Sequence, residues 1–188
     1  HIWMSKEAIK LVKNPDLKDF LTCHHEEVYN GAIFPDSGHL NGYGERAHWP
    51  PFMTTYMNSI KEKCRKGDGQ ITLRGECGKL AAHWFGAMSH MKADQVFDST
   101  FLTEWKKRGL SSSVGQAQDI ADEGMDVLAI WDSTTGIHFD IPTPYAPVSH
   151  LLGVFLKLNH TINNEKIQYR DIDCGIDTVW WGLVLERW

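Results

Sequence analysis

No run of eighteen apolar residues occurs in this chain, so no segment of it reads as a bilayer-spanning helix. GxSxG, the Walker loop and GxGxxG are all missing, which removes the common serine-hydrolase and nucleotide-binding signatures. Cysteine is sparse: Cys23, Cys64, Cys77 and Cys174 show no CxxC spacing, which argues against a cysteine zinc site. Four cysteines pair in three ways. Cys64 with Cys77 would close the polar loop from Arg65 to Glu76 and leave Cys23 with Cys174; free thiols are the alternative. Positive charge is also short. A formal net charge of −5 argues against a polybasic face for nucleic acid or membrane. No internal repeat, heptad run or low-complexity segment is present.

What is present suits one globular domain, residues 1–188. The chain is 42% hydrophobic and 23% charged, and its length suffices to bury roughly 70% of the unfolded surface. The pattern is helical throughout. Ile2 to Lys13 is apolar on one side, and Asn14-Pro15 stops it. Asp16 can cap a second helix running to about Tyr29. Three glycines and several prolines make Pro35 to Pro51 a loop, long enough to suggest function. Phe52 to Lys66 is amphipathic, with Phe52, Met53, Tyr56, Met57, Ile60 and Cys64 on one side. Leu80 to Phe97 reads as a central helix, with another from about 116 to 131 interrupted at Gly124. Thr134 to Pro147 is a rigid connection. Val148 to Leu158 and Ile172 to Leu185 are apolar enough for core helices. Trp180, Trp181 and Trp188 read either as core or as a membrane-interface patch, and core packing suits Trp180. Asn159-His-Thr161 is a glycosylation sequon, a pattern that also arises by chance.

Ten histidines are the chemical surplus of this composition. On a helix, His83, Ala87, His90, Asp94 and Asp98 fall within an arc of about 80°. His90 and Asp94, one turn apart, could reach one divalent ion. A seam of ionisable groups among Leu80, Ala81, Ala82, Phe85 and Met91 is costly unless paired or metal-bound. Taken alone, His-x-x-x-Asp fits a solvated or self-paired helix face just as well. His39, His138, His150 and His160 suit surface positions or satisfied hydrogen bonds. His24, His25 and His83 read as structural or as supports behind a metal ligand.

Several stretches, in order, carry a resemblance. Tyr29-Asn-Gly-Ala-Ile-Phe-Pro-Asp36, Arg46-Ala-His48-Trp-Pro-Pro-Phe52 and Phe85-Gly-Ala-Met-Ser-His90-Met-Lys-Ala-Asp94 resemble the aspartate loop, His-Trp-x-x-Phe signature and zinc helix of the zinc-dependent phospholipase C family. The nearest likeness is to the catalytic domain of glycosylphosphatidylinositol-specific phospholipase D; single-strand zinc nucleases share that fold. The opening from His1 to Ile9, the stretch from Asp122 to Leu128, and Pro142 to Leu158 extend the likeness along nearly the whole chain.

The resemblance implies an all-α multi-helix bundle and a cluster of two or more zinc ions. It implies hydrolysis of a phosphodiester in a phospholipid or glycosylphosphatidylinositol anchor by metal-bound hydroxide, in a secreted or extracytoplasmic protein with peripheral membrane contact. His1, Asp36, His48, His90, Asp94, Asp98 and Asp122 become metal ligands, with Asp94 bridging two ions. Asp36 either ligates or orients the attacking water. Phe34, Trp49 and Trp84 become cleft-wall residues, with core packing as their alternative.

Two departures stand out. Asp98 stands near where the family has a histidine, and Gln118, a weak donor to zinc, precedes Asp122. Asp98, Gln118 and Asp122 form an oxygen-rich set better suited to Ca²⁺ or Mn²⁺. Two rivals to the lipid phosphodiesterase follow. One is a single-strand nuclease, disfavoured by the lack of basic charge. The other is a non-catalytic lipid- or partner-binding domain with a degraded metal site.

Overall fold

The computed structural model describes residues 1–38, 42–110 and 141–186, with side chains as far as Leu183. The fold is all-α. In chain order the described elements are α1 (Ile2–Leu11), α2 (Pro15–Cys23), α3 (His25–Ile33), a 3₁₀ turn (Asp36–Gly38), α4 (Gly44–Ala47), α5 (Pro50–Cys64) and α6 (Glu76–Val96). A π-helical turn (Phe97–Leu102), α7 (Thr103–Lys107), α8 (Val148–Lys157), a two-stranded hairpin and α9 (Tyr169–Glu186) follow. No described helix is long and apolar enough to cross a membrane. The expectations for His39, Gln118, Asp122, His138, Trp188 and a helix over 116–131 fall outside the described residues.

Backbone packing divides the chain into two compact units, residues 1–91 with 141 onward, and residues 92–140. In the first unit, α5 puts Phe52, Met53, Tyr56, Ile60 and Cys64 on its buried face. They join Phe34, Tyr43, Leu80, Leu151, Val154, Phe155 and Ile172 in the main core, where Phe52 and Phe155 rings lie 4.6 Å apart. A fully buried side chain of this kind contributes roughly 1.5–3 kcal/mol. A second cluster of Ile2, Leu21, Val28, Tyr29 and Ala82 seats α1 and α2 against α3 and α6. The described part of the second unit gathers Phe97, Phe101 and Trp105 around Leu102.

Helices α3 and α6 meet backbone to backbone. A Cβ on Gly31 would stand 2.0 Å from the His83 carbonyl oxygen, and one on Gly86 would stand 2.0 Å from that of Val28. Only glycine permits this crossing at both points.

Several boundaries differ from the sequence reading. Asn14, rather than Asp16, caps α2, its side chain accepting from Leu17 N at 2.9 Å with Pro15 in the first turn. The helix expected to run to Tyr29 breaks at His24 (φ −111°, ψ 29°), and α3 starts afresh. The stripe expected to reach Asp98 on one α-helix ends at Val96, because the wider π turn breaks the 100° register. Ser99 Oγ donates to the Gln95 carbonyl and Thr100 Oγ1 to that of Val96, side-chain bonds to backbone acceptors at the start of the π turn.

The hairpin, β1 (Thr161–Ile162) with β2 (Glu165–Lys166), is a further difference from the sequence reading. Its turn residues Asn163 and Asn164 both take positive φ, 51° and 68°, the backbone that a type I′ turn requires. Cys64 and Cys77 form a disulfide. Cys23 and Cys174 do not pair; both are free and exposed. Leu21 and Ile172, two residues earlier and about 200° round each helix, are the buried ones, so the two cysteines face outward.

Candidate metal centre

Four elements of the first unit bring His1, Asp36, His48 and His90 together. His90 lies in the middle of α6, 1% exposed, where the Gly31/Gly86 crossing carries the end of α3 to it. Its Nδ1 donates to the Ala32 carbonyl at 2.7 Å. His48 follows α4, and its Nδ1 donates to the Gly44 carbonyl at 2.8 Å. Asp36 opens the 3₁₀ turn. That turn is braced by Ser37 Oγ, which donates to the Phe34 carbonyl at 2.6 Å and lies 2.8 Å from the Tyr43 hydroxyl. Tyr43 in turn donates to the Ile172 carbonyl at 3.2 Å, and burial pushes its phenol well above the ordinary range. His1 precedes α1, which Ser5 ties to α6 through a 3.0 Å bond to Ser89, the residue before His90. The His1 ring stacks on that of His90 with centroids 3.6 Å apart.

The hydrogen bonds assign the tautomers. A carbonyl only accepts, so a neutral His48 or His90 carries its proton on Nδ1 and a lone pair on Nε2. Those two Nε2 atoms face each other at 3.0 Å. Two lone pairs at that distance repel unless a cation lies between them. Asp36 Oδ1 adds a carboxylate oxygen 3.4 Å from His48 Nε2 and 3.5 Å from His90 Nε2. Asp36, His48 and His90 thus offer three donors within metal-binding reach of one another. Tetrahedral zinc with bonds of 2.0–2.1 Å has ligand-to-ligand edges of about 3.3 Å. The three separations fit such an ion. The other carboxylate oxygen of Asp36, Oδ2, lies 3.9 Å from His1 Nε2, so its two oxygens serve different imidazoles.

Asp94 follows His90 by one turn on α6, as its spacing predicted. Asp98 sits in the π turn. His83 is a core histidine and not a support for the cluster: it is fully buried, its Nδ1 lies 3.2 Å from the Tyr56 hydroxyl, and its ring packs near Phe34. Burial, with a smaller contribution from His150, pulls its pKa down to about 3, so it stays neutral. His25 is half-exposed beside Glu26, with Nδ1 on the Thr22 carbonyl. Phe34 is 1% exposed and belongs to the core. Trp84 packs against that core and donates from Nε1 to the Met53 carbonyl at 2.9 Å. Of the three aromatic cleft candidates, Trp49 alone is exposed, its Nε1 donating to Glu45 at 2.6 Å. Sequence reasoning missed the carbonyls of Ala32 and Gly44, since any residue type supplies a carbonyl. It also missed the Ser5–Ser89 bond.

The chain is 28% identical to human phosphatidylinositol-glycan-specific phospholipase D over 73% of its length, and 25% identical to the mouse protein over 93%. The bovine protein is 26% identical over 84%. The chain is distantly related to this phospholipase D. It spans about a fifth of the length of these relatives, 17%, 21% and 20% respectively. No protein-family model and no solved structure matches it.

Proposed function

We propose that this chain hydrolyses a phosphodiester in a phospholipid or glycosylphosphatidylinositol, at a metal centre of the kind found in the zinc-dependent phospholipase C family. The observation that carries the proposal is the facing pair of imidazole lone pairs beside Asp36, in a chain distantly related to a phospholipase D. His48, His90 and Asp36 would hold one zinc ion, and His1 and Asp94 would supply further donors. Zinc, when bound, polarises the phosphoryl group and lowers the pKa of water to about 7.

The chain's own residues do the rest. The carbonyls of Ala32 and Gly44 fix both rings with Nε2 forward, the kind of support whose loss costs 10–100-fold in affinity or activity. Asp36, with 41% of its side chain exposed, is open to substrate. Its position between three imidazoles favours a ligand role over a purely water-orienting one. Asp98, with Gln118 and Asp122, is proposed to hold a hard cation, Ca²⁺ or Mn²⁺, or none. The disulfide suits a secreted protein.

Elemental analysis and turnover test the reading together. The purified chain should contain zinc, lose turnover on strong chelation and regain it with added zinc. Asp94→Asn and Asp36→Asn should each lose metal in step with rate. Phosphatidylinositol, phosphatidylcholine, a glycosylphosphatidylinositol-anchored protein and single-stranded DNA would be assayed side by side. Turnover of the DNA alone would replace the lipid reading with a nuclease. Absence of metal would leave a non-catalytic binding domain.

A further inference from the structure

Helix α1 is apolar on two sides. Ile2, Ser5, Ile9 and Val12 face the interior: Ile2 and Ser5 are buried, and Ile9 and Val12 pack on the second core cluster. The opposite side carries Trp3, Met4, Ala8 and Leu11. Trp3 is 44% exposed, Met4 40% and Leu11 79%. At about 100° per residue these four fall within an arc of about 140°. One charge lies inside that arc, Glu7, and Lys10 neutralises it at 2.6 Å.

A helix face of this kind belongs against another apolar medium. Its flank names the medium. Lys6 and Lys10 border the arc on the Trp3 side, and Lys13 follows the helix end. Residues 1–18 hold four lysines against two carboxylates, in a chain whose formal net charge is −5. Lysines beside a Trp, Met and Leu face make up the composition of a helix lying in an anionic lipid interface, with indole at headgroup depth.

The face also has an address. It begins two residues after His1, whose ring stacks on His90. Trp49, 43% exposed, directly follows His48, and Glu45 holds its Nε1. We infer that the outer face of α1, together with Trp49, docks on the surface of an anionic phospholipid bilayer and presents lipid phosphodiesters to the histidine cluster. The second half of that statement rests on the proposed function; the docking does not.

Co-sedimentation with phosphatidylcholine vesicles, with and without phosphatidylserine, tests the docking on the zinc-loaded chain. Turnover of a soluble phosphodiester, bis(p-nitrophenyl) phosphate, tests the metal centre separately. Binding should require phosphatidylserine and weaken with salt. Leu11→Glu and Met4→Glu should each weaken it by about tenfold or more, the worth of one buried apolar side chain. Turnover of the soluble ester by both variants should match the unaltered chain. Vesicle binding unchanged in Leu11→Glu, or none by the unaltered chain, would overturn the inference. So would a dimer in solution that Leu11→Glu dissociates, because a second copy would then cover the face. Docking that behaves as expected without any soluble turnover would sink the proposed function and leave the docking standing.

Discussion

Helix α6 carries two buried histidines seven residues apart, His83 and His90, and their surroundings differ in kind. Both are at most 1% exposed. His83 has aromatic neighbours, Phe34, Tyr56 and Tyr145, with ring centroids 5.5–6.0 Å away. Its Nε2 meets no hydrogen-bond partner among the described residues. His90 has both nitrogens engaged: Nδ1 on a carbonyl and Nε2 facing His48 and Asp36. Burial and residue type are therefore poor guides to function here. What separates the two is convergence on the second nitrogen, because only acceptors gathered around one point create a need for a cation.

Exchanging the two roles should break the comparison most severely. His90→Ala should lose bound metal and at least about 10³-fold in turnover. A metal supplies several kcal/mol of transition-state stabilisation, and each decade of rate is worth about 1.36 kcal/mol. His83→Phe, which keeps a ring in the core, should retain metal. Elemental analysis and turnover of the two variants decide it; metal retained in His90→Ala or lost in His83→Phe would collapse the contrast.

The disulfide belongs to the His83 end of α6, since Cys77 lies in its first turn. Cys64→Ser should lower unfolding free energy by about 3 kcal/mol, the chain-entropy value for a loop of this length. Metal content should not change. Urea denaturation and elemental analysis on one preparation would show whether the two ends of the helix are independent.

How much of this was legible follows from the same contrast. The one-turn spacing of His90 and Asp94, and the loop bearing Asp36 and His48, could be read because side-chain identity carried the signal. The all-α class could be read from the 3.6-residue periodicity of Phe52, Met53, Tyr56 and Ile60. The break at His24 could not, because nothing in Cys23-His24-His25 forbids helix. The π turn was hidden for a related reason: Ser99 and Thr100 act through backbone carbonyls, and hydroxyls at these positions also occur in ordinary helices. Phe34 was misplaced because a phenylalanine next to an aspartate loop looks the same whether it turns outward or into the core.

Acid should sharpen the comparison by a moderate amount. In the folded protein the His83 pKa is about 3 and that of His150 about 4, both lowered chiefly by burial; an unfolded histidine titrates near 6.5. Below pH 6.5 the unfolded chain binds protons that the folded chain refuses, so stability falls as pH drops from 6.5 toward 3. The slope for His83 approaches about 1.4 kcal/mol per pH unit. His150 contributes less because solvent screens it. Urea denaturation at pH 7, 6, 5 and 4 should show this slope, flatter in His83→Phe. Equal slopes for the two proteins would mean that His83 is not held neutral.

The smallest expected effect is the most local. The Tyr56 hydroxyl is the hydrogen-bond partner of His83 Nδ1, at 3.2 Å. Tyr56→Phe removes that oxygen and keeps the ring that packs against Phe52, whose centroid lies 6.0 Å away. A neutral bond of this length contributes about 1 kcal/mol net, with a further cost when a buried nitrogen is stranded. Tyr56→Phe should therefore lower unfolding free energy by about 1–2 kcal/mol and leave zinc content and turnover at their original values. An unchanged melt would mean that packing alone holds His83. A drop in zinc affinity would carry more weight, because it would couple His83 to His90 through two turns of α6 and make the core histidine a distant support of the metal centre.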